Sequence, residues 1–150
     1  MQLIKSLAAI ALAATGTVAG AAEGLIAVKS PVDAKTTMDR VEAQAKERGL
    51  AVLARIDHAA GAAKIGKTLR PTEVLIFGNP QGGTPLMECA QTMGIDLPLK
   101  ALVWQDAGGQ VWLGYNDLAF LAKRHAVPDC AAAGNIAKAM ASIAQAATAP

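Results

Sequence analysis

The sequence predicts a single α+β domain in which helices pack against a mixed, mostly antiparallel sheet of about five strands. Helical and extended patterns follow one another in the order β-α-β-α-β-α-β-β-α-α, which has too few βαβ repeats for a doubly wound fold. Near the end of this order, two apolar runs, 99–105 and 111–115, flank a glycine-containing turn, as expected of an antiparallel hairpin. About 128 residues remain once a predicted leader is removed, enough for one domain.

That leader is a predicted secretory signal peptide over residues 1–22. Lys5 supplies its positive end, residues 7–18 form a small-residue apolar core, and the Ala-Gly-Ala-Ala run 19–22 offers a cleavage site. An uncleaved anchor is the alternative, but the core is alanine-rich and shorter than the ~20 strongly apolar residues that span a membrane. We therefore expect the domain 23–150 to be periplasmic or secreted, with no membrane attachment after cleavage.

The first half of the domain is predicted to contain two strands and two helices. A short strand over 24–30 precedes a helix over 36–48, whose start is assigned to a capping box led by Thr36. The run 50–56 is apolar on both faces, which favours a strand at the centre of the sheet. A short alanine-rich helix over 59–65 follows.

The second half begins with an apolar strand, 73–77, which runs into a glycine- and proline-rich segment. A helix over 85–93 comes next, and the hairpin follows it. Two helices end the chain, the first capped by Asn116 or Asp117 and the second by Asp129. The last helix carries an apolar stripe that requires a partner surface.

The segment between the third strand and its helix is the candidate ligand site. Its glycines would let the backbone approach a ligand, while Thr84 before Pro85 would leave free amides at a helix start. This chemistry suits a small anionic or polar ligand, with charge from His58 or Lys100. A sharp turn without a ligand is the alternative. The residues expected to bind are Gly78, Asn79, Gly82, Gly83, Thr84, His58 and Lys100.

Several function classes are excluded or disfavoured. The segment lacks the Walker spacing and the dinucleotide fingerprint. The mature chain has 13 basic against 12 acidic residues and few aromatic ones, which argues against nucleic acid as a partner. With two histidines and no Cys/His cluster, neither a structural zinc site nor any other cofactor is expected.

Asp57 and His58 provide the alternative that the protein is a small periplasmic enzyme. They follow the end of a predicted strand, and the carboxylate would raise the basicity of an imidazole acting as general base. No nucleophile is recognisable beside them, so capping by Asp57 is favoured over catalysis. A labile metal held by His58 with Asp96 or Asp117 is a further alternative.

Cys89 and Cys130 form a candidate disulfide, because thiols usually pair in an oxidising compartment. The bridge would close a loop of about 41 residues, worth roughly 4 kcal/mol in the chain-entropy model. Two unlinked buried thiols are the alternative. There is no C-x-x-C pair of a thioredoxin-like oxidoreductase.

Four blocks in order resemble the bacterial family called domain of unknown function 302. These are residues 50–58, 70–80, 84–87 and 95–100, within a similarity that extends from about 36 to 125. The resemblance implies a compact α+β fold with helices on a curved sheet, and dimers in some members. It implies no activity, and it does not extend to Cys130.

The sequence therefore favours an exported, non-enzymatic binding or accessory module over an enzyme. A homodimeric interaction module is the third interpretation. Trp104 and Trp112 lie on either side of the hairpin turn, and if they share a face they could cover a partner surface.

Overall fold

The computed structural model of the protein describes residues 22–150, so nearly all of the predicted signal peptide lies outside the described residues. The elements follow the predicted order and confirm the α+β class. The strands are β1 (Leu25–Ser30), β2 (Ala51–Asp57), β3 (Thr72–Gly78), β4 (Leu99–Gln105) and β5 (Val111–Asn116). The helices are α1 (Ala34–Glu47), α2 (His58–Lys64), α3 (Pro80–Cys89), α4 (Leu118–Arg124) and α5 (Ala131–Ala147), with a 3₁₀ helix at Gln91–Ile95.

The five strands form one sheet in the order β1-β5-β4-β3-β2, and every neighbouring pair is antiparallel. The central position predicted for β2 is wrong, since β2 is an edge strand. Leu53 is 60% exposed and lies at a β-bulge where the pairing with β3 shifts between Val52 and Ala54. Such a bulge makes an edge less suited to pairing with another chain.

The hydrophobic core lies between one face of the sheet and helix α1. Met38, Val41 and Ala45 of α1 are fully buried, as are Leu75 and Phe77 of β3. Helix α5 packs against α1, α3 and α4, and its buried residues join the same core. Alternate strand residues face this core, so the intervening residues lie on the opposite face of the sheet.

Helices α1 and α5 are capped by residues other than those predicted. Helix α1 starts at Ala34, where Asp33 is the N-cap and its Oδ1 accepts a hydrogen bond from the Thr36 backbone N–H at 2.9 Å. The Thr36 hydroxyl also donates to Asp33 and lowers the pKa of that carboxyl. Helix α5 starts after Cys130, so Asp129 lies one residue outside the N-cap. The predicted capping roles of Thr36 and Asp129 are therefore wrong.

The hairpin between β4 and β5 is organised by Asp106. Its Oδ1 accepts hydrogen bonds from the backbone N–H groups of Gly108 and Gln110, and its Oδ2 accepts one from Trp112 Nε1 at 2.8 Å. The indole bond is the main reason that the pKa of Asp106 is lowered. Trp112 lies opposite Trp104 and stacks on it, with ring centroids 6.3 Å apart. The two rings thus share the face of the sheet turned away from α1.

Candidate functional site

The segment predicted to be a glycine loop is the beginning of helix α3. Asn79 is the N-cap, Pro80 occupies the first turn, and Gly82 and Gly83 are helical. The helix therefore begins five residues before the predicted start, and Pro85 lies inside it. An asparagine N-cap followed by proline is a strong start signal, and here it outweighs the poor helix propensity of two glycines.

Two of the amides expected to hold an anion are already bonded within the helix. The Gly82 N–H donates to Asn79 Oδ1 at 2.8 Å, and the Gly83 N–H donates to the Asn79 carbonyl oxygen at 3.0 Å. An anion at these nitrogens would have to displace bonds that close the first turn. The backbone N–H groups of Gly82 and Gly83 are therefore not free to bind an anion, as the predicted site requires.

The same residues do line a half-open cavity of about 650 Å³. It lies between α3, α5 and the end of the sheet where β2 begins and β3 finishes. Its walls are mostly aliphatic side chains and glycine backbone, and no charged side chain lines it among the described residues. Its apolar lining residues include Leu53, Leu97, Ile136, Met140 and Ile143.

Five of the seven predicted binding residues lie at this cavity, namely Gly78, Asn79, Gly82, Gly83 and Thr84. His58 and Lys100 do not. His58 follows the Asp57–Glu73 pair of the β2–β3 ladder, whereas Gly78 pairs with Ala51 at its other end. Six residues at ~3.3 Å put the two ends about 20 Å apart. Lys100 Nζ instead donates to the carbonyl oxygens of Asp96 and Pro98, at 3.2 and 2.9 Å.

Of the alternative site at Asp57 and His58, Asp57 lines a second, polar cleft of about 560 Å³, and His58 does not. Asp57 Oδ1 accepts a hydrogen bond from the Ala60 N–H at 2.8 Å, which confirms its predicted capping role. His58 is exposed and makes no side-chain hydrogen bond within residues 22–150. In that part of the chain, no hydroxyl or thiol group is hydrogen-bonded to the imidazole.

The basic side chains of this polar cleft are Lys35 and Arg55, and Lys35 Nζ pairs with Asp39 Oδ2 at 2.7 Å. The guanidinium of Arg55 bonds Glu73, Asp39 and Glu42, and these carboxylates raise the pKa of Arg55. Lys35 and then Arg55 lower the pKa of Asp39 in return. Arg55 is therefore neutralised by its neighbours and does not provide a free positive charge for an anionic ligand.

Asp96, considered above as a metal ligand with His58, has other partners. Its Oδ2 lies 2.6 Å from His125 Nε2, and its Oδ1 accepts a hydrogen bond from Arg124 at 2.8 Å. His125 Nδ1 lies 2.9 Å from the Thr92 hydroxyl. In the described part of the chain, no cluster of three His, Cys, Asp or Glu residues could hold a metal. This network ties the 3₁₀ helix to α4.

Cys89 and Cys130 are paired in a disulfide, with Cα atoms 6.0 Å apart. The bridge joins the end of α3 to the start of α5, and both helices line the cavity. The cavity residues contributed by α5 were not predicted as site residues. The apolar stripe of the last helix indicated only that it needed a partner surface.

Residues 26–146 match the model of a known family, "Domain of unknown function DUF302". The chain belongs to the DUF302 family. Its fold is also similar to "Crystal structure of uncharacterized conserved protein DUF302 from Bacillus stearothermophilus", with a TM-score of 0.76. That similarity covers 84% of this chain and 99% of the other at 23% identity, and so concerns the fold alone.

Curated relatives of this DUF302 chain carry a functional name. "Fluoride-specific ion channel FluC 1" of Brucella suis biovar 1 (strain 1330) is 51% identical over 104 residues, which are 69% of this chain and 41% of the relative. "Fluoride-specific ion channel FluC 2" of Brucella melitensis biotype 1 is 51% identical over 104 residues and 38% of its length. The DUF302 chain thus spans about two fifths of these relatives. Within residues 22–150, no helix is long and apolar enough to cross a membrane.

Proposed function

We propose that this DUF302 domain is a non-enzymatic binding module that holds a small, uncharged and largely apolar ligand. The observation that carries the proposal is the cavity of about 650 Å³ bounded by α3, α5 and the end of the sheet. Its volume falls in the range of small-molecule pockets, about 300–1,000 Å³, and its apolar walls with a few polar groups match their usual composition.

The side chains that line the cavity favour an uncharged ligand over the anion expected from the sequence. The polar side chains at the cavity belong to Asn79 and Thr84, and no lysine, arginine or histidine lines it in the described part of the chain. Desolvating a small anion without a cation or several free donors is costly. The relatives named fluoride channels make fluoride the anion to test, and we expect no binding of fluoride at this cavity.

The uncharged fluorophore N-phenyl-1-naphthylamine tests the proposal, since its emission rises in apolar surroundings. We expect a saturable rise with the mature domain. Ala139 is an exposed cavity residue, so Ala139→Trp should block the entrance and weaken binding by about tenfold or more. Ala141→Trp is the matched control, because Ala141 is exposed on the same helix and does not line the cavity.

Three results would contradict a cavity ligand of this kind. The first is no saturable fluorescence with the wild type, and the second is equal loss in the two tryptophan variants. The third is displacement of the fluorophore by millimolar sodium fluoride but not by sodium chloride at equal ionic strength. Displacement by fluoride would support an anion site in this cavity.

We also propose that the mature protein is exported. The predicted signal peptide and the Cys89–Cys130 bridge support this, because such bridges persist in oxidising compartments. The intact mass of the protein recovered from the periplasm tests it. A chain that retains residues 1–22, or is recovered only from the cytosol, would refute export.

A weak homodimer is a second candidate, favoured by the stacked Trp104 and Trp112 on the face away from α1. Val74 and Leu102 lie on the same face and are partly buried, and Ile56 on that face is exposed. Five strands spaced ~4.8 Å apart, with about six residues of ~3.3 Å each, give a face of roughly 480 Å². Two copies would bury about 960 Å², at the low end for specific interfaces. Sedimentation velocity should therefore show a dimer only at high concentration, and a single monomer species at every concentration would exclude it.

A further inference from the structure

The side-chain amide of Asn79 has a defined orientation. Its cap oxygen lies 2.8 Å from the Gly82 backbone nitrogen, which is a donor, so the atom facing the helix must be Oδ1. The Nδ2 amine is therefore directed away from the first turn of α3. The orientation follows from the hydrogen bond and not from a choice between two similar atoms.

This amine has unused donor capacity and belongs to a residue that lines the cavity. Among residues 22–150, Asn79 Nδ2 has no hydrogen-bond partner, while the residue itself is partly buried and lines the cavity. In the described part of the chain, every fully enclosed side-chain nitrogen or oxygen atom of a non-exposed residue has a hydrogen-bond partner. The Nδ2 group is thus reachable from the solvent, and water can satisfy it when the cavity contains no ligand.

A purely hydrocarbon ligand would remove that water and leave the donor without a partner. Losing a hydrogen bond from a group that becomes buried costs more than an ordinary bond contributes. A ligand that brings an acceptor oxygen avoids this cost. A carboxylate would also accept the bond, but the lining offers no cation to balance its charge among the described residues.

We infer that the ligand carries a neutral acceptor oxygen, such as a ketone, ester or ether oxygen, to which Asn79 Nδ2 donates. The inference rests on the proposed function, because it specifies the ligand class of the same cavity. It assigns Asn79 two roles. Oδ1 begins the helix and Nδ2 selects the ligand.

Benzophenone and diphenylmethane are a matched pair of probes, because they share two phenyl rings and differ in one carbonyl oxygen. We expect the mature wild type to bind benzophenone roughly fivefold more tightly, the effect of one net hydrogen bond. Titrations followed by ¹H–¹⁵N NMR give both affinities. The side-chain amide signals of Asn79 should move with benzophenone well beyond their shift with diphenylmethane.

Asn79→Asp isolates the donor, because aspartate caps a helix as well as asparagine does but has no Nδ2. The added charge should weaken both probes, so the ratio of their affinities is the readout, and we expect it to fall to about one. Thr84→Val removes the other polar side chain of the lining and should leave the ratio unchanged.

Equal affinities in the wild type would overturn the inference, as would a ratio that survives Asn79→Asp or disappears in Thr84→Val. In each of these cases both probes still bind and the proposed function stands. If neither probe binds and N-phenyl-1-naphthylamine also fails, the proposed function is what has failed.

Discussion

At the scale of single residues, the backbone at the ends of two helices offers a clear test of local energetics. Ala126 follows the C-cap of α4 with a φ of 59°, in the left-handed region that a non-glycine side chain disfavours. Gly49 occupies the equivalent position after α1 with a φ of 72°. A glycine directly after a helix is a common stop signal, whereas an alanine gives no such indication for α4.

Ala126→Gly should raise the free energy of unfolding by about 0.5–1 kcal/mol, because relief of the left-handed backbone exceeds the entropy that glycine adds to the unfolded chain. Ala126 is exposed, so no packing is lost. Gly49→Ala should lower that free energy by a similar amount, since a Cβ there meets no atom within 4 Å and the change acts through the backbone alone. Urea unfolding measures both, and shifts of the same sign would contradict the argument.

At the scale of elements, the apolar runs and turn residues predict every strand and every α-helix, but not the junction at α3 or the 3₁₀ helix at Gln91–Ile95. Glycine and proline indicate a loop in most contexts, and here they occur in the first turn of a helix. The cap at Asn79 decides the boundary through a single side-chain bond. Five of the predicted binding residues therefore lie at the cavity for a reason other than the one that selected them.

The glycines of α3 lower the stability of the helix, and their lack of a side chain leaves space in the cavity. Gly83→Ala should raise the free energy of unfolding by about 0.5–1 kcal/mol through helix propensity. The added Cβ would lie 3.8 Å from Leu97 Cδ1, an ordinary contact, so it fits. It should also weaken N-phenyl-1-naphthylamine binding, because it narrows the cavity.

Gly134→Ala is the matched control for this trade. Gly134 lies inside α5, a Cβ there meets no atom within 4 Å, and the residue does not line the cavity. We expect Gly134→Ala to raise the free energy of unfolding by the same amount as Gly83→Ala and to leave fluorophore binding unchanged. Equal binding by the two alanine variants would mean that the wall at Gly83 does not limit the ligand.

At the scale of the whole molecule, the arrangement of the site depends on topology that local patterns do not contain. A strand with apolar residues on both faces has the same sequence pattern at the centre of a sheet and at an edge beside a cavity. Strand β2 lies at such an edge. His58 is close in sequence to the cavity residue Leu53 yet belongs to the far end of the β2–β3 ladder. The pairing register therefore separates the predicted histidine from the rest of the candidate site.

The disulfide links stability and binding at this scale, because it closes a 41-residue separation and joins the two helices that line the cavity. The double variant Cys89→Ala/Cys130→Ala should lower the free energy of unfolding by about 4 kcal/mol, the loop entropy regained by the unfolded chain. It should also weaken N-phenyl-1-naphthylamine binding, since α3 and α5 are then free to separate.

Dithiothreitol, a dithiol reductant, should reproduce both effects in the wild type and have no further effect on the double variant. Urea unfolding and fluorophore titration, with and without the reductant, measure the two quantities on the same samples. A loss of stability with unchanged affinity would mean that packing of α5 against α1 holds the cavity together without the bridge. A loss below about 1 kcal/mol would mean that the unfolded chain is already restricted in this loop.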